Sequence, residues 1–403
     1  MSIKVLYIHF CGQFGGASKS LIEMIKSFPK NTIKAHIISP SGSAAERFES
    51  MSIPIIKVLG ISTVSIGRVS YFPGVKCIRT LRELLYLPST IISIIKAKKL
   101  WKDIDIIHVN EVNAIISIVM AKLIFNKPLV VHVRSLVNSK RLAFKLANYV
   151  LTKFADIVVP IDESVKRMLP SHLKMEVVHN GFSFKLNENI KPLIKREKNN
   201  CNAIKVGFVS NLLRVKGIYE FIEAAKICKQ KGLNIEFIIA GDNVRTLKGV
   251  KKTIFQLFGY DDTDVKADVS KLIEKYNLQE HVHLIGFIDD VEDVYENIDI
   301  LCFPSYLDTA GRPVFEAAFS KVPSIVAFSD PTDDIIINGK TGLCVKPKEA
   351  MELANAIEYL TCNPYIRKNM GEAAFELAQS NFNIKRNAFK MLQIYKKLMG
   401  MKC

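Results

Sequence analysis

One tryptophan stands among 403 residues, and aromatic side chains make up 9% of the chain. Nucleic-acid readers interleave stacking aromatics with their cations, and no such stripe runs through this sequence. No apolar run approaches the roughly 20 residues that a bilayer span requires. The stretches 84–95 and 113–120 are the longest, and polar residues or Pro88 interrupt them. The chain opens on a strand-like run, 3–10, in place of a basic segment, an apolar core and a cleavage site, so no signal peptide is expected. Eight cysteines are scattered at 11, 77, 201, 228, 302, 344, 362 and 403, with no Cys-x-x-Cys pair and no histidine at metal-ligand spacing. Free thiols in a reducing compartment follow, with neither disulfides nor zinc, and a cytoplasmic location is expected. Disorder is excluded by 49% hydrophobic residues against 24% charged.

The net charge of +17 is unevenly spread. Residues 1–200 hold 30 Lys and Arg against 13 Asp and Glu, and residues 201–403 hold 26 against 26. The excess therefore belongs wholly to the first half, and such an imbalance speaks to partners and not to fold. Nucleic acid, an anionic membrane leaflet and an anionic substrate are the partners it admits.

Short β-branched runs alternate with segments of helical period in both halves, the pattern of parallel sheets covered by helices on both faces. Strands are expected at 3–10, 33–39, 53–58, 105–109, 129–133, 157–161 and 176–179, then at 205–210, 236–240, 282–287, 300–305, 324–328 and 342–345. The polar stretch 187–202, broken by Lys191-Pro192, reads as a linker. This gives an α/β protein of two doubly wound, Rossmann-like domains, 1–186 and 203–380. Helices expected at 363–379 and 384–398 end the chain, and residues 381–403 could cross back to the first domain. Residues 243–270 read as an insertion. Ligands of open α/β sheets sit beyond the carboxyl ends of the strands, so two such edges facing one cleft would hold the chemistry.

The candidate residues cluster at those ends. Gly12-Gln-Phe-Gly15-Gly16 follows the first strand, and Gly15 and Gly16 would let backbone approach a phosphate or a sugar. It is not G-x-G-x-x-G, and no acid closes the second strand for a ribose, which argues against a dinucleotide dehydrogenase. His132, in Pro128-Leu-Val-Val-His132-Val-Arg134-Ser135, stands near the end of a buried strand, where it could meet an anion or a hydroxyl. His108 and His179 hold similar positions with weaker claims. Ser210-Asn211-Leu-Leu-Arg214-Val-Lys216-Gly217 puts two cations at a strand-to-helix turn, suited to a diphosphate. Gly241 closes the next strand. The densest group is Pro304-Ser-Tyr-Leu-Asp308-Thr-Ala-Gly311-Arg312-Pro313-Val-Phe-Glu316. Here Glu316, expected in the first helical turn, could accept from paired ribose hydroxyls and Asp308 from a second polyol. Gly311 would free loop amides for phosphate, and Arg312 would add positive charge. No Asp-x-Asp closes a strand, so no catalytic metal is expected.

These residues, with Asn180-Gly181, Gly286-Phe287, Pro323-Ser-Ile-Val326 and Asn338-Gly-Lys-Thr-Gly342, resemble the family-4 retaining nucleotide-sugar glycosyltransferases of GT-B fold, the type that builds bacterial surface polysaccharides. The resemblance implies a nucleoside-diphosphate sugar as donor and no further cofactor. It implies that Glu316 holds the nucleotide ribose, and that Asp308 takes the place of the first acid of E-x7-E, on the donor sugar. Lys216 would hold the diphosphate. Asn211 stands where the family's companion arginine is common, with Arg214 near enough to compensate. His132 looks like the first-domain residue beside the reacting sugar, and Gly15 and Gly16 like the loop beside the phosphates. Retention would follow from the leaving phosphate taking the acceptor proton. The basic first domain would then bind a glycan or lipid-linked acceptor. Lys96, Lys98, Lys99 and Lys102, just after Ile91, Ile92, Ile94 and Ile95, suit an anionic leaflet, so the enzyme would sit peripherally on the inner face of the membrane. A nucleotide-sugar epimerase on the same scaffold, a basic nucleic-acid-binding protein and an inactive binding module are the alternatives.

Overall fold

In the computed structural model, residues 2–66, 76–135, 142–183, 193, 203–243, 264–307 and 311–401 are described, with side chains of the third helix given from residue 80. Contacts divide the chain into two units, Met1–Ser183 with Phe382–Cys403, and Phe184–Asn381.

The first unit runs β1 (Ile3–Ile8), α1 (Gly16–Ser27), β2 (Ile33–Pro40), α2 (Ser43–Ser50), β3 (Ile55–Val58), α3 (Lys76–Leu100), β4 (Ile106–Val109), α4 (Ile115–Phe125), β5 (Leu129–Val133), α5 (Leu142–Phe154), β6 (Ile157–Pro160) and α6 (Glu163–Arg167). Its sheet is parallel, in the order β3-β2-β1-β4-β5-β6. Strand alternation sends Leu6 and Ile8 to one face, with Ile107, Val109 and Val131. Val5 and Tyr7 go to the other face, with Ile106, Val130 and Val159. Both faces are dry, which is why these strands read as unbroken apolar runs.

The second unit repeats the plan with β7 (Ile204–Val209), α7 (Ile218–Gln230), β8 (Ile235–Ala240), α8 (Val265–Lys275), β9 (Val282–Gly286), α9 (Glu292–Tyr295), β10 (Ile300–Phe303), α10 (Arg312–Phe319), β11 (Ser324–Ala327), β12 (Gly342–Val345), α11 (Ala350–Cys362) and α12 (Pro364–Asn381). Its order, β12-β11-β10-β7-β8-β9, is the same winding read from the other edge. Each sheet therefore has one switch point, between β1 and β4 and between β7 and β10, where crossovers leave in opposite directions and open a crevice.

The last helix, α13 (Ile384–Leu398), belongs to the first unit. Asn383 caps it by accepting from the amides of Lys385 and Arg386. Its apolar face, with Met391, Leu392 and Tyr395, joins Val5, Tyr7 and Val130 in one core. Gly181 is needed there, because a Cβ would lie 2.5 Å from the Cα of Ile384.

One expectation changes in detail. Residues 176–179 form no named strand: the amides of Glu176 and Val178 donate to the carbonyls of Val158 and Pro160, but the only bridge there among the described residues is Val158 to Met175. Pro160 has no amide proton to carry the ladder further. The stretch 243–270 holds the start of α8, while 244–263, like most of 187–202, lie outside the described residues. Cys228 and Cys302 are buried free thiols in the second unit's core.

Gly371, inside α12, gives a test of this packing. Helix propensity alone makes Gly→Ala favourable by about 1 kcal/mol. A Cβ at 371, however, would lie 1.9 Å from the carbonyl oxygen of Lys321, at the turn that follows α10. Gly371→Ala should therefore lose roughly 1–3 kcal/mol in urea unfolding. A gain would mean that the two segments are not in contact as described.

Candidate functional site

The carboxyl end of β10 gathers most of the second unit's candidates. Lys216 lies in a single 3-10 turn, Arg214–Lys216, that bridges β7 and α7. Gly217 follows with φ +78°, and a Cβ there would lie 2.0 Å from the carbonyl oxygen of Pro304, so only glycine lets this turn press against the end of β10. Val215 seals the contact, its carbonyl accepting from the amide of Tyr306 at 2.9 Å. Lys216 Nζ thereby sits 5.3 Å from the centre of the Phe303 ring. Gly311 meets the edge of the same ring, where a Cβ would be 2.4 Å from Cζ. Lys216 and the start of α10 thus converge on the last residue of β10.

Lys216 is half-buried. Burial pushes its ammonium down to about 8, and no carboxylate pairs with it among the described residues. A cation taken from water with only a ring face for company is a ready site for an anion.

Glu316 is 4% exposed. Gly311 is the N-cap of α10 and Pro313 stands second in the helix, so Glu316 falls in the second turn, not the first. The reason is that the helix begins at Arg312, one residue earlier than the proline suggested. Arg312 Nε and Nη2 both lie 2.9 Å from Glu316 Oε1, and the Tyr295 hydroxyl donates to Oε2 at 2.9 Å. Arg312, expected to face phosphate, is thus engaged with the acid one turn on.

The other candidates are more loosely placed. Arg214 is exposed, its guanidinium 5.3 Å from the Tyr219 ring centre, and Asn211 is exposed at the end of β7. Gly241, at φ +148°, would drive a Cβ to 1.9 Å from the Ser210 carbonyl, so the fold requires it whatever it binds. Asp308 lies outside the described residues.

In the first unit, Gly15 caps α1 in extended conformation, and Gly15 and Gly16 are exposed. A Cβ at 15 would meet nothing within 4 Å, so neither packing nor backbone demands glycine there. His132 is 2% exposed at the end of β5. Its Nδ1 is 3.3 Å from both His108 Nε2 and Arg134 Nη2, and its Nε2 is buried with no hydrogen-bond partner among the described residues. Burial and the nearby Arg134 charge hold His9 and His108 down to about 3 and His132 well below its ordinary value, so all three imidazoles are neutral at neutral pH. His179 is structural: its carbonyl accepts from Asn387 and its ring packs on Phe382.

Sequence reasoning did not single out His9, Asn110, Glu111, Arg134 as a hub, or Tyr395. The signal present was a polar residue closing each of β1, β4 and β5, the three strands around the switch point. Glu111, 3% exposed, is pushed up to about 7 by burial.

Residues 189–377 match the family Glycosyl transferases group 1, and residues 14–185 match Glycosyltransferase Family 4. Among curated proteins the chain is similar to an alpha-D-kanosaminyltransferase of Streptomyces kanamyceticus, 23% identical over 47% of this chain and 45% of that one. It is also similar to the capsular polysaccharide biosynthesis glycosyltransferase CapM of Staphylococcus aureus, 25% identical over 44% and 42%. The matched region spans less than half the length of either relative. The structure of Anabaena Alr3699/HepE in complex with UDP superimposes with a TM-score of 0.73 at 19% identity, over 98% of this chain and 100% of that one. The shared architecture is the two-domain GT-B fold.

The Arg312–Glu316 pair has a measurable consequence. Arg312→Ala would take from a buried carboxylate its charged partner, which costs roughly 3–5 kcal/mol. Urea unfolding followed by circular dichroism should show that loss. A loss under about 1 kcal/mol, the range of exposed pairs, would show that the carboxylate is solvated instead.

Proposed function

We propose that the chain, whose residues 189–377 match the group 1 glycosyltransferases, moves a sugar, with retention, from a nucleoside-diphosphate sugar to a glycan acceptor of surface-polysaccharide synthesis, the acceptor being lipid-linked. The observation that carries the reading is Lys216, a half-buried ammonium over an aromatic ring with no carboxylate paired to it among the described residues, at the switch point of the second sheet. A diphosphate supplies the missing charge. As the bond to the sugar breaks, negative charge grows on the leaving phosphate, and a fixed cation there lowers the barrier more than it stabilises the ground state. Glu316, kept in place by Arg312 and Tyr295, accepts from the ribose hydroxyls. Asp308 holds the donor sugar, and Arg214, Asn211 and the amides about Gly311 complete the phosphate site. The leaving phosphate takes the acceptor proton on the face it departs from. In the first unit the bare Gly15–Gly16 turn gives backbone access to a ligand, and His132 contributes a ring nitrogen. No metal enters this scheme.

The basic first unit is read as the acceptor side. Leu84, Leu85, Ile92 and Ile95 are exposed along α3, beside exposed Arg82, Lys96 and Lys99. Leu142, Leu146 and Tyr149 are exposed on α5, and α4 packs against both helices. Among the described residues no helix is long and apolar enough to cross a membrane. Apolar side chains flanked by lysines instead suit the surface of an anionic leaflet.

Two measurements test this. In a thermal-shift panel, UDP or GDP should raise the unfolding midpoint of the wild type with concentration. Lys216→Ala and Glu316→Gln should each remove most of that rise. Because Lys216 loses its proton above about pH 8, nucleotide affinity should be flat below that pH and fall above it, by up to about tenfold per pH unit, and Lys216→Ala should abolish the slope. Equal stabilisation of all three proteins would reject the site. For the membrane reading, the protein should float with vesicles containing phosphatidylglycerol and not with pure phosphatidylcholine. Flotation indifferent to anionic lipid would reject it.

A further inference from the structure

The polar chain beneath His132 has a direction, and it can be read from Arg134. A guanidinium has donors only. Arg134 Nη2 lies 3.3 Å from His132 Nδ1, so that nitrogen must present its lone pair. His108 Nε2 is also 3.3 Å from His132 Nδ1 and must therefore carry its own proton. His108 Nδ1 is then an acceptor and receives a hydrogen bond from the Tyr395 hydroxyl at 2.6 Å. The Tyr7 hydroxyl lies 3.2 Å beyond Tyr395. At the other end, His132 is neutral with a bare Nδ1, so its proton is on Nε2, the buried atom that lacks an acceptor among the described residues.

Arg134 orders a second chain in the same way. Its Nε donates to Asn110 Oδ1 at 2.9 Å, which fixes the amide so that Asn110 Nδ2 donates to His9 Nδ1 at 3.0 Å. His9 Nε2 then donates to Ser18 Oγ at 2.9 Å, and Ser18 donates to the carbonyl of Gln13, in the loop that carries Gly15. Arg134 Nη1, 2.6 Å from Asn180 Oδ1, ties the hub to the segment that packs against the start of α13.

We propose that Arg134 is a positioning residue that sets the tautomers of His108 and His132, so that His132 offers Nε2–H as an oriented donor to a ligand oxygen and does not act through that nitrogen as a base. A buried donor without a partner costs about 1–3 kcal/mol, which a ligand oxygen at Nε2 relieves. Tyr395 anchors the far end, which makes α13, at the end of the chain, part of the apparatus. The inference rests on the reading of the first unit as ligand-binding only for what His132 meets; the tautomers themselves follow from the protein.

The experiment is long-range proton–nitrogen correlation NMR on the full chain labelled with 15N-histidine, with His132 assigned by loss of its signals in His132→Gln. The wild type should show Nε2–H tautomers for His132 and His108 at about pH 7. Tyr395→Phe should keep both tautomers, because Arg134 remains, while His108 Nδ1 shifts toward an unbonded lone pair. Arg134→Met should give mixed tautomers, with Arg134→Lys restoring the wild-type pattern in part. In turnover assays with a UDP-sugar, Arg134→Met should lower kcat/KM roughly tenfold, the loss of about one hydrogen bond. His132→Gln, which keeps a donor near the place of Nε2, should outperform His132→Ala. An Nδ1–H tautomer for wild-type His132 overturns the proposal even if the arginine variants fail to fold, and so does an unchanged tautomer in folded Arg134→Met. Loss of the functional reading would appear elsewhere, as nucleotide stabilisation indifferent to Lys216 with these spectra unaltered.

Discussion

An ammonium group drawn partly out of water, over the Phe303 ring and without a carboxylate partner among the described residues, is the constraint around which the second unit is arranged. Proteins almost always neutralise such a charge internally. Glu316, the buried acid of α10, is already paired with Arg312 and Tyr295. Among the described residues Lys216 has no carboxylate partner, and in the proposed reading a ligand meets its charge. Gly217 and Gly311 make this possible, because each lets backbone approach the end of β10 at a distance that a side chain would forbid.

The two units use an arginine to the same physical end. Arg312 fixes Glu316 from the side, with two nitrogens on one oxygen, so that the carboxylate cannot turn away. Arg134 does the equivalent for a set of neutral groups whose hydrogen-bond polarity would otherwise be degenerate. Imidazole and hydroxyl chains can run either way, and a donor-only cation at one point removes the choice. In the proposed reading, both devices serve preorganisation: groups that must meet a transition state are already oriented before substrate arrives.

Much of this architecture is legible in the chain itself. Unbroken apolar runs mark strands buried on both faces, and glycines at their carboxyl ends mark close approaches, as Gly217 and Gly241 prove to be. What was not legible depends on distance along the chain or on competition between partners. His108 and Tyr395 lie 287 residues apart, and no local pattern announces their contact. Arg312 reads as a phosphate ligand until the helix is seen to begin at that residue, which puts Glu316 one turn on and within its reach. Gly15 is the opposite case. Its sequence position suggests a structural turn, yet the backbone is extended and a Cβ would meet nothing, so the fold supplies no reason for glycine.

The charge asymmetry fits the same division. The second half is neutral overall, although it holds the cation proposed to meet the diphosphate. A single placed ammonium, undiluted by neighbours and close to its deprotonation at about 8, is strong in effect because it is poorly solvated. The first half, with 30 basic residues against 13 acidic, works at longer range. Its exposed lysines on α3 are fully solvated, so each contributes little alone, and screening confines them to roughly 8–10 Å. Such charges act collectively on extended anionic surfaces and not on a single phosphate. On the sheet face opposite α3, His9, His108 and His132 are held neutral by desolvation and by Arg134. The first unit thus sets solvated lysines on its surface, where they can gather a partner, and keeps uncharged imidazoles in its interior.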